Sequence, residues 1–194
     1  MKLAAHGFRR FCCDDLIAAE LAPELSRPDG TIMSLGEWMG FPYESWYEEK
    51  EAKYLGCEIE VLRRILEHLE HPESIPDKDL VIDTTGSVIY TGENILAGLR
   101  RHTTVVHIAT PPAVQEQMLK AYVANQRPVL WRSLFSKQPN ETNEEALARC
   151  YPGLLLARER LYERYSDVTI DYYQAIESGF GLHDLLELIG TSLA

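Results

Sequence analysis

No run of apolar residues in this chain approaches the roughly eighteen needed for a bilayer-crossing helix, so no membrane span is expected. The opening segment from Met1 to Phe11 carries His6, Arg9 and Arg10 without a long apolar stretch, which is not the pattern of a secretory leader. Cysteine is sparse. Cys12 and Cys13 are adjacent, while Cys57 and Cys150 stand apart, and this spacing makes neither a zinc site nor a disulfide framework. Reduced thiols in a cytoplasmic protein are the expectation. Positive charge is also scarce, with 19 Lys and Arg against 30 Asp and Glu and a formal net charge of −11. A field of that sign disfavours nonspecific binding to nucleic acid or to an anionic membrane, and leaves room for a local basic pocket that takes a small anion. The six histidines show no metal-ligand spacing; His68 and His71 lie three apart with no third ligand nearby. No Ser-His-Asp or Cys-His order stands out, and there is no internal repeat or low-complexity linker.

What is present suits one compact domain spanning residues 1–194, since 45% hydrophobic and 25% charged residues can build a core and a solvated surface. Short β-like runs alternate with helical ones. Arg10 to Cys13 reads as a strand and Leu16 to Leu25 as a helix. Ser34 to Glu37 and Thr142 to Glu145 are capping boxes, each opening a helix. Glu44 to His71 is helical, with a break expected at Gly56 and a close at Pro72 and Pro76; Ile59, Leu62, Leu66 and Leu69 recur at helical spacing. Leu80 to Thr84 is the clearest buried strand, and Thr103 to Ile108 is a second. Helices are expected over Gly92 to Arg101, from Pro111-Pro112 to about Ala124, and from about Leu154 to Tyr165 after Pro152-Gly153. Gln126 to Asn140 is irregular, Asp167 to Asp171 is the last strand, and a C-terminal helix ends the chain. This alternation predicts an α/β sandwich with a parallel sheet.

Ligands in open α/β sheets bind beyond the carboxyl ends of strands, which singles out three places. Asp14 and Asp15 follow the first strand, where a carboxylate accepts a substrate hydroxyl or simply caps the next helix. Asp83 ends the most apolar strand, an arrangement like the aspartate that holds magnesium near phosphates, and Thr84 to Ser87 follow as a turn of hydroxyls and amides. Arg127 opens a proline-stiffened stretch, Arg127 to Arg132, suited to closing over a phosphate. Arg158, Arg160 and Arg164 share one helix, either as an anion site or as a salt-bridged solvated face with Glu159 and Glu163. Trp38, Phe41, Tyr43, Trp46 and Tyr47 cluster, as core or as a pocket roof.

Taken in order, these motifs resemble the shikimate kinase family of P-loop phosphotransferases over roughly residues 3 to 172. Asp14-Asp15-Leu16-Ile17 matches the substrate-binding aspartate three before an isoleucine, with Cys12 in place of the metal-associated aspartate. Ser34, Tyr47 and Glu51 keep their spacing, while Glu48 stands where the family has a substrate-binding arginine. Thr84 keeps a threonine, and Thr85-Gly86-Ser87 replace the glycine triplet. Arg127 to Leu130 resembles the lid motif, and Arg158, four before Tyr162 and ahead of Ser166-Asp167-Val168, matches a second substrate arginine. The resemblance implies a three-layer α/β fold, ATP and Mg2+ as cofactors, a small hydroxylated acid as substrate and a lid over about 111–140. It implies Asp14 and Arg127 as catalytic, Asp14, Gly86 and Arg158 as substrate-binding, Arg127 toward the nucleotide and Asp83 toward the metal. With Glu48 facing the pocket, the substrate would be an acid other than shikimate.

The chain contains no G-x-x-x-x-G-K-[ST]. By family spacing the Lys-Ser/Thr pair falls just upstream of Met1, so the sequence is expected to begin inside the first helix, at Leu3 to Gly7. The family's central first strand is then missing, and the strands at Asp83 and His107 are expected to face a gap with unpaired backbone groups. Two functions follow: a phosphotransferase truncated or degenerate at its phosphate loop, or a non-catalytic, small-anion-binding or regulatory relative. The sequence leaves the oligomeric state open.

Overall fold

The computed structural model describes residues 7–71, 80–125 and 127–190. Residues 3–6 of the expected first helix, the closing prolines Pro72 and Pro76, and Gln126 lie outside them.

The fold is mixed α/β. Strand β1 (Arg9–Cys12) leads directly into helix α1 (Cys13–Glu20), with α2 (Ala22–Leu25) and α3 (Leu35–Met39) following. Ser34 and Glu37 form the expected capping box at α3. The long helix α4 (Tyr47–Glu70) returns the chain to strand β2 (Leu80–Asp83), a 3-10 turn at Val88–Tyr90 and α5 (Glu93–His102). Then come β3 (Val106–Ala109), α6 (Pro112–Ala124), a 3-10 turn at Arg132–Leu134, α7 (Asn143–Tyr165), β4 (Val168–Asp171), α8 (Tyr172–Ile176) and α9 (Leu182–Leu188).

The strands form two separate parallel pairs. β1 pairs β2 in the register Arg9↔Leu80 to Cys12↔Asp83, and β3 pairs β4 in the register Val106↔Val168 to Ala109↔Asp171. The single sheet expected from the alternation is therefore two sheets, because among the described residues no strand bridges β2 to β3. The expected burial of β2 is only partial for the same reason. Parallel strands are normally covered on both faces, yet all four residues of β2 are half-buried, and Ile108 of β3 is 49% exposed.

Two expected helix breaks do not occur. Gly56 lies on the exposed side of α4, where a missing side chain costs only propensity while the buried residues on either side hold the helix. Pro152 sits inside α7, also exposed; it gives up one backbone bond, and buried Cys150, Tyr151, Leu154 and Leu155 around it keep the helix docked. Val88–Tyr90 is a 3-10 turn, and the last helix is two short ones.

The core gathers on α4. Tyr47, Glu51, Tyr54, Leu55, Glu58, Val61, Leu62, Ile65 and Leu66 form its buried face, at the spacing of a single helical stripe. Gly98 of α5 lets Leu66 approach so closely that a Cβ there would lie 2.8 Å from its Cδ1. Of the aromatic cluster, Trp38 and Tyr47 are core, Phe41 stacks on Tyr43 at 5.3 Å, and Trp46 is exposed.

Candidate functional site

The carboxyl ends of β1 and β2 come together because the strands are parallel and in register, with Cys12 opposite Asp83. Asp14 and Asp15 therefore stand beside Asp83. They do not cap α1: Cys12 occupies the N-cap position with no side-chain cap bond, and the two aspartates lie in the first turn, where the exposed helix amides favour negative charge. The Tyr54 hydroxyl donates to Asp14 Oδ1 at 3.1 Å. The Asp14 carboxyl is pushed upward in pKa, first by partial loss of water and then by the charges of Asp83 and Asp15; Tyr54 and Arg127 oppose this. Arg127, exposed at the start of the lid stretch, is thus near enough to act on Asp14 by charge.

Asp83 is not free for a cation. Arg10 ion-pairs with its carboxylate, and Arg10 Nε donates to Oδ2 at 3.1 Å. Among the described residues no group of three His, Cys, Asp or Glu side chains could hold a metal ion. Neighbouring Cys13 is buried with its thiol pushed up to about 12 by desolvation, which makes it inert as a nucleophile.

The turn after β2 connects this edge to α7. Gly86 is exposed, and a Cβ built on it would stand 3.3 Å from Arg158 Nη1 and 3.4 Å from the Tyr162 hydroxyl. Tyr162 donates to the Gly86 carbonyl at 2.5 Å. Arg158 is 9% exposed and donates through Nη2 to the Leu130 carbonyl at 2.8 Å, while its buried Nε has no hydrogen-bond partner among the described residues. Its guanidinium lies 5.7 Å from the centre of the Tyr90 ring, whose buried hydroxyl also has no partner among the described residues. Arg132 approaches the same ring at 5.9 Å. Arg164, by contrast, pairs at the surface at 3.1 Å with Glu93 of α5, and not with Glu159 or Glu163 of its own helix.

The stretch expected as a mobile lid is pinned at its base. Leu130 and Trp131 are fully buried. Trp131 donates its backbone N–H to the Tyr47 hydroxyl at 2.9 Å, and Arg132 donates its own to Glu51 at 2.8 Å. Arg132 adopts φ +54°, a left-handed conformation unusual outside glycine, which these bonds hold in place. Glu51, which keeps the family's spacing in the sequence, here anchors the chain. Glu48 is exposed in the first turn of α4.

The structure thus places Asp14 beside Asp83, with Arg127 near enough to act by charge, and Gly86 beside Arg158 in the turn that follows β2. It adds Tyr54, Glu58 and Tyr90, which sequence reading passed over, and Arg132, the last residue of the stretch expected to close over a phosphate. A signal existed for Glu58: it falls on the apolar stripe of α4 with Tyr54, where an acid requires a partner. A hollow of about 410 Å³ between α8 and α9 is lined by Glu177, Asp184 and Glu187 without a cation, so it suits no anion. Comparison of the chain with protein-family models gives no match, and comparison with curated proteins gives none.

Proposed function

We propose that this chain binds a small hydroxylated carboxylic acid at the carboxyl edge of β1 and β2, as the acceptor side of a shikimate kinase-like three-layer phosphotransferase fold. One observation carries the reading. Arg158 is a buried, permanently charged guanidinium with an unsatisfied Nε beside an exposed turn that has no side chain at Gly86. Such a group is costly to bury without an anion, and a planar carboxylate matches its fork. Asp14 stands beyond the end of β1 to accept a substrate hydroxyl, and partial loss of water raises its pKa, which makes it a better proton acceptor. Arg127 would close onto the bound acid from the lid stretch.

The described residues do not fit Mg2+. Asp83 is held by Arg10, and among the described residues no group of three His, Cys, Asp or Glu side chains could hold a metal ion. These features favour the second reading, a non-catalytic, small-anion-binding relative of the kinase family. Titration calorimetry with a panel of small hydroxylated carboxylic acids, shikimate among them, tests both readings. One acid should bind without nucleotide, and Arg158→Ala should weaken it at least about tenfold, the effect of losing a charged hydrogen-bonded contact. Binding of Mg-ATP by this chain would select the phosphotransferase; its absence selects the binding relative. No acid binding, or binding indifferent to Arg158, would overturn the proposal.

A further inference from the structure

We infer that Glu58 is a neutral, proton-bearing carboxylic acid that acts as a positioning residue for the anion site, closing a ring of hydrogen bonds that holds the Gly86 turn against Arg158. Glu58 is fully buried in the middle of α4. Among the described residues its hydrogen-bond partners are two hydroxyls: Thr85 Oγ1 on Oε1, and Ser87 Oγ on Oε2 at 2.5 Å. The two hydroxyl oxygens also lie 2.8 Å from each other.

Proton accounting decides the state of this group. Each close oxygen–oxygen contact needs one hydrogen between its atoms. Three contacts are present, and the two hydroxyls supply only two hydrogens. An ionised Glu58 would take both and leave the Thr85–Ser87 contact as facing lone pairs. A protonated Glu58 supplies the third, and the ring then closes head to tail: Glu58 Oε1 donates to Thr85, Thr85 to Ser87 and Ser87 to Glu58 Oε2, so that each hydroxyl both donates and accepts. The backbone confirms the tightness of the turn, with the Ser87 N–H on Thr85 Oγ1 at 3.1 Å.

The surroundings agree. The groups facing Glu58 are Cys13 and Asp14 from α1, Tyr54 from α4 itself, Thr85 and Ser87 from the turn, and Arg158 and Tyr162 from α7. Burial is the largest influence and raises its pKa; Asp14 adds to this, and the two hydroxyls and Arg158 oppose it. Arg158 already spends Nη2 on the Leu130 carbonyl and acts on Glu58 through charge. Gly86, between the two clamped hydroxyl residues, carries the carbonyl bound by Tyr162 and the open face beside Arg158. On ionisation the proton would leave to solvent, one ring bond would be lost, and a negative charge would compete with the incoming acid for Arg158.

The consequence for ligand affinity rests on the anion-site reading, so the test separates the two. Unfolding in urea is followed from mildly acidic to mildly alkaline pH for the wild type, Glu58→Gln and Glu58→Ala. A carboxyl raised in the folded state above its ordinary 4.5 contributes stability that is complete below 4.5 and is lost as pH rises through the folded value. The wild-type folding constant should therefore carry an extra decline of up to about tenfold per pH unit in that window. Glu58→Gln, an uncharged donor and acceptor of the same shape, should remain folded without that decline, and Glu58→Ala should be the least stable. The wild type should show an infrared band of a protonated carboxylic acid that Glu58→Gln lacks. Identical pH slopes in wild type and Glu58→Gln, or the absence of that band, would overturn the assignment. If the slope and band are present but no hydroxylated acid binds, the proton assignment stands and the ligand reading fails.

Discussion

Helix α4 buries the same pair of residues twice. Tyr47 and Glu51, then Tyr54 and Glu58, repeat one helical turn apart within each pair and two turns apart between them. Their surroundings differ completely. Glu51 receives the Tyr47 hydroxyl at 2.9 Å, the Arg132 N–H at 2.8 Å and the Arg132 guanidinium at 3.6 Å. Glu58 receives only hydroxyls. One carboxylate is a tether for the chain that enters the lid stretch; the other is a neutral member of a hydrogen-bonded ring. Identical side chains at equivalent helix positions take opposite roles because the elements packed on them differ.

Glu51→Leu attacks the tethered pair directly. It should destabilise the protein by about 3 kcal/mol, since the buried Tyr47 hydroxyl and the part-buried Arg132 N–H lose a charged acceptor together, read as a lower urea midpoint with unchanged slope. Tyr47→Phe should cost about 1.5 kcal/mol by the same measurement, because the Trp131 N–H loses its acceptor in the core. Thr142→Ala sharpens the contrast from outside both pairs. It removes a capping-box hydroxyl at the start of α7, so a loss of about 1 kcal/mol is expected, with Asp14 titration unchanged by NMR. Tyr54→Phe should have the smallest effect on stability, about 0.5 kcal/mol, since its bond reaches a carboxylate with access to water. Its signature is electrostatic: the Tyr54 hydroxyl favours the charged form of Asp14, so its removal should move the Asp14 pKa further upward in an NMR titration. A fall in that pKa would break the proposed pairing of Tyr54 with Asp14.

Much of the local structure was legible. The capping boxes at Ser34 and Thr142, the proline start of α6 and the apolar stripe of α4 are all properties of neighbouring residues along the chain. The two expected breaks at Gly56 and Pro152 were misread because both lie on exposed faces of helices whose opposite faces are docked. The candidate residues were legible as residue types at strand ends, and the structure sets Asp14 beside Asp83 and Gly86 beside Arg158. The partners that occupy them were not. Arg10 lies 73 positions from Asp83, and nothing in the local spacing announces that it would cover that carboxylate.

The sequence by itself therefore determined where helices begin, which faces are apolar, and that acids and arginines cluster at strand ends, because propensity, capping and periodicity act over a few residues. Only the tertiary structure decided that the strands form two pairs, that the lid stretch is anchored through Leu130, Trp131 and Arg132, and that Glu58 meets hydroxyls where Glu51 meets a cation. Those outcomes depend on which distant segments pack together, and the state of a buried charge is set by its neighbours in space.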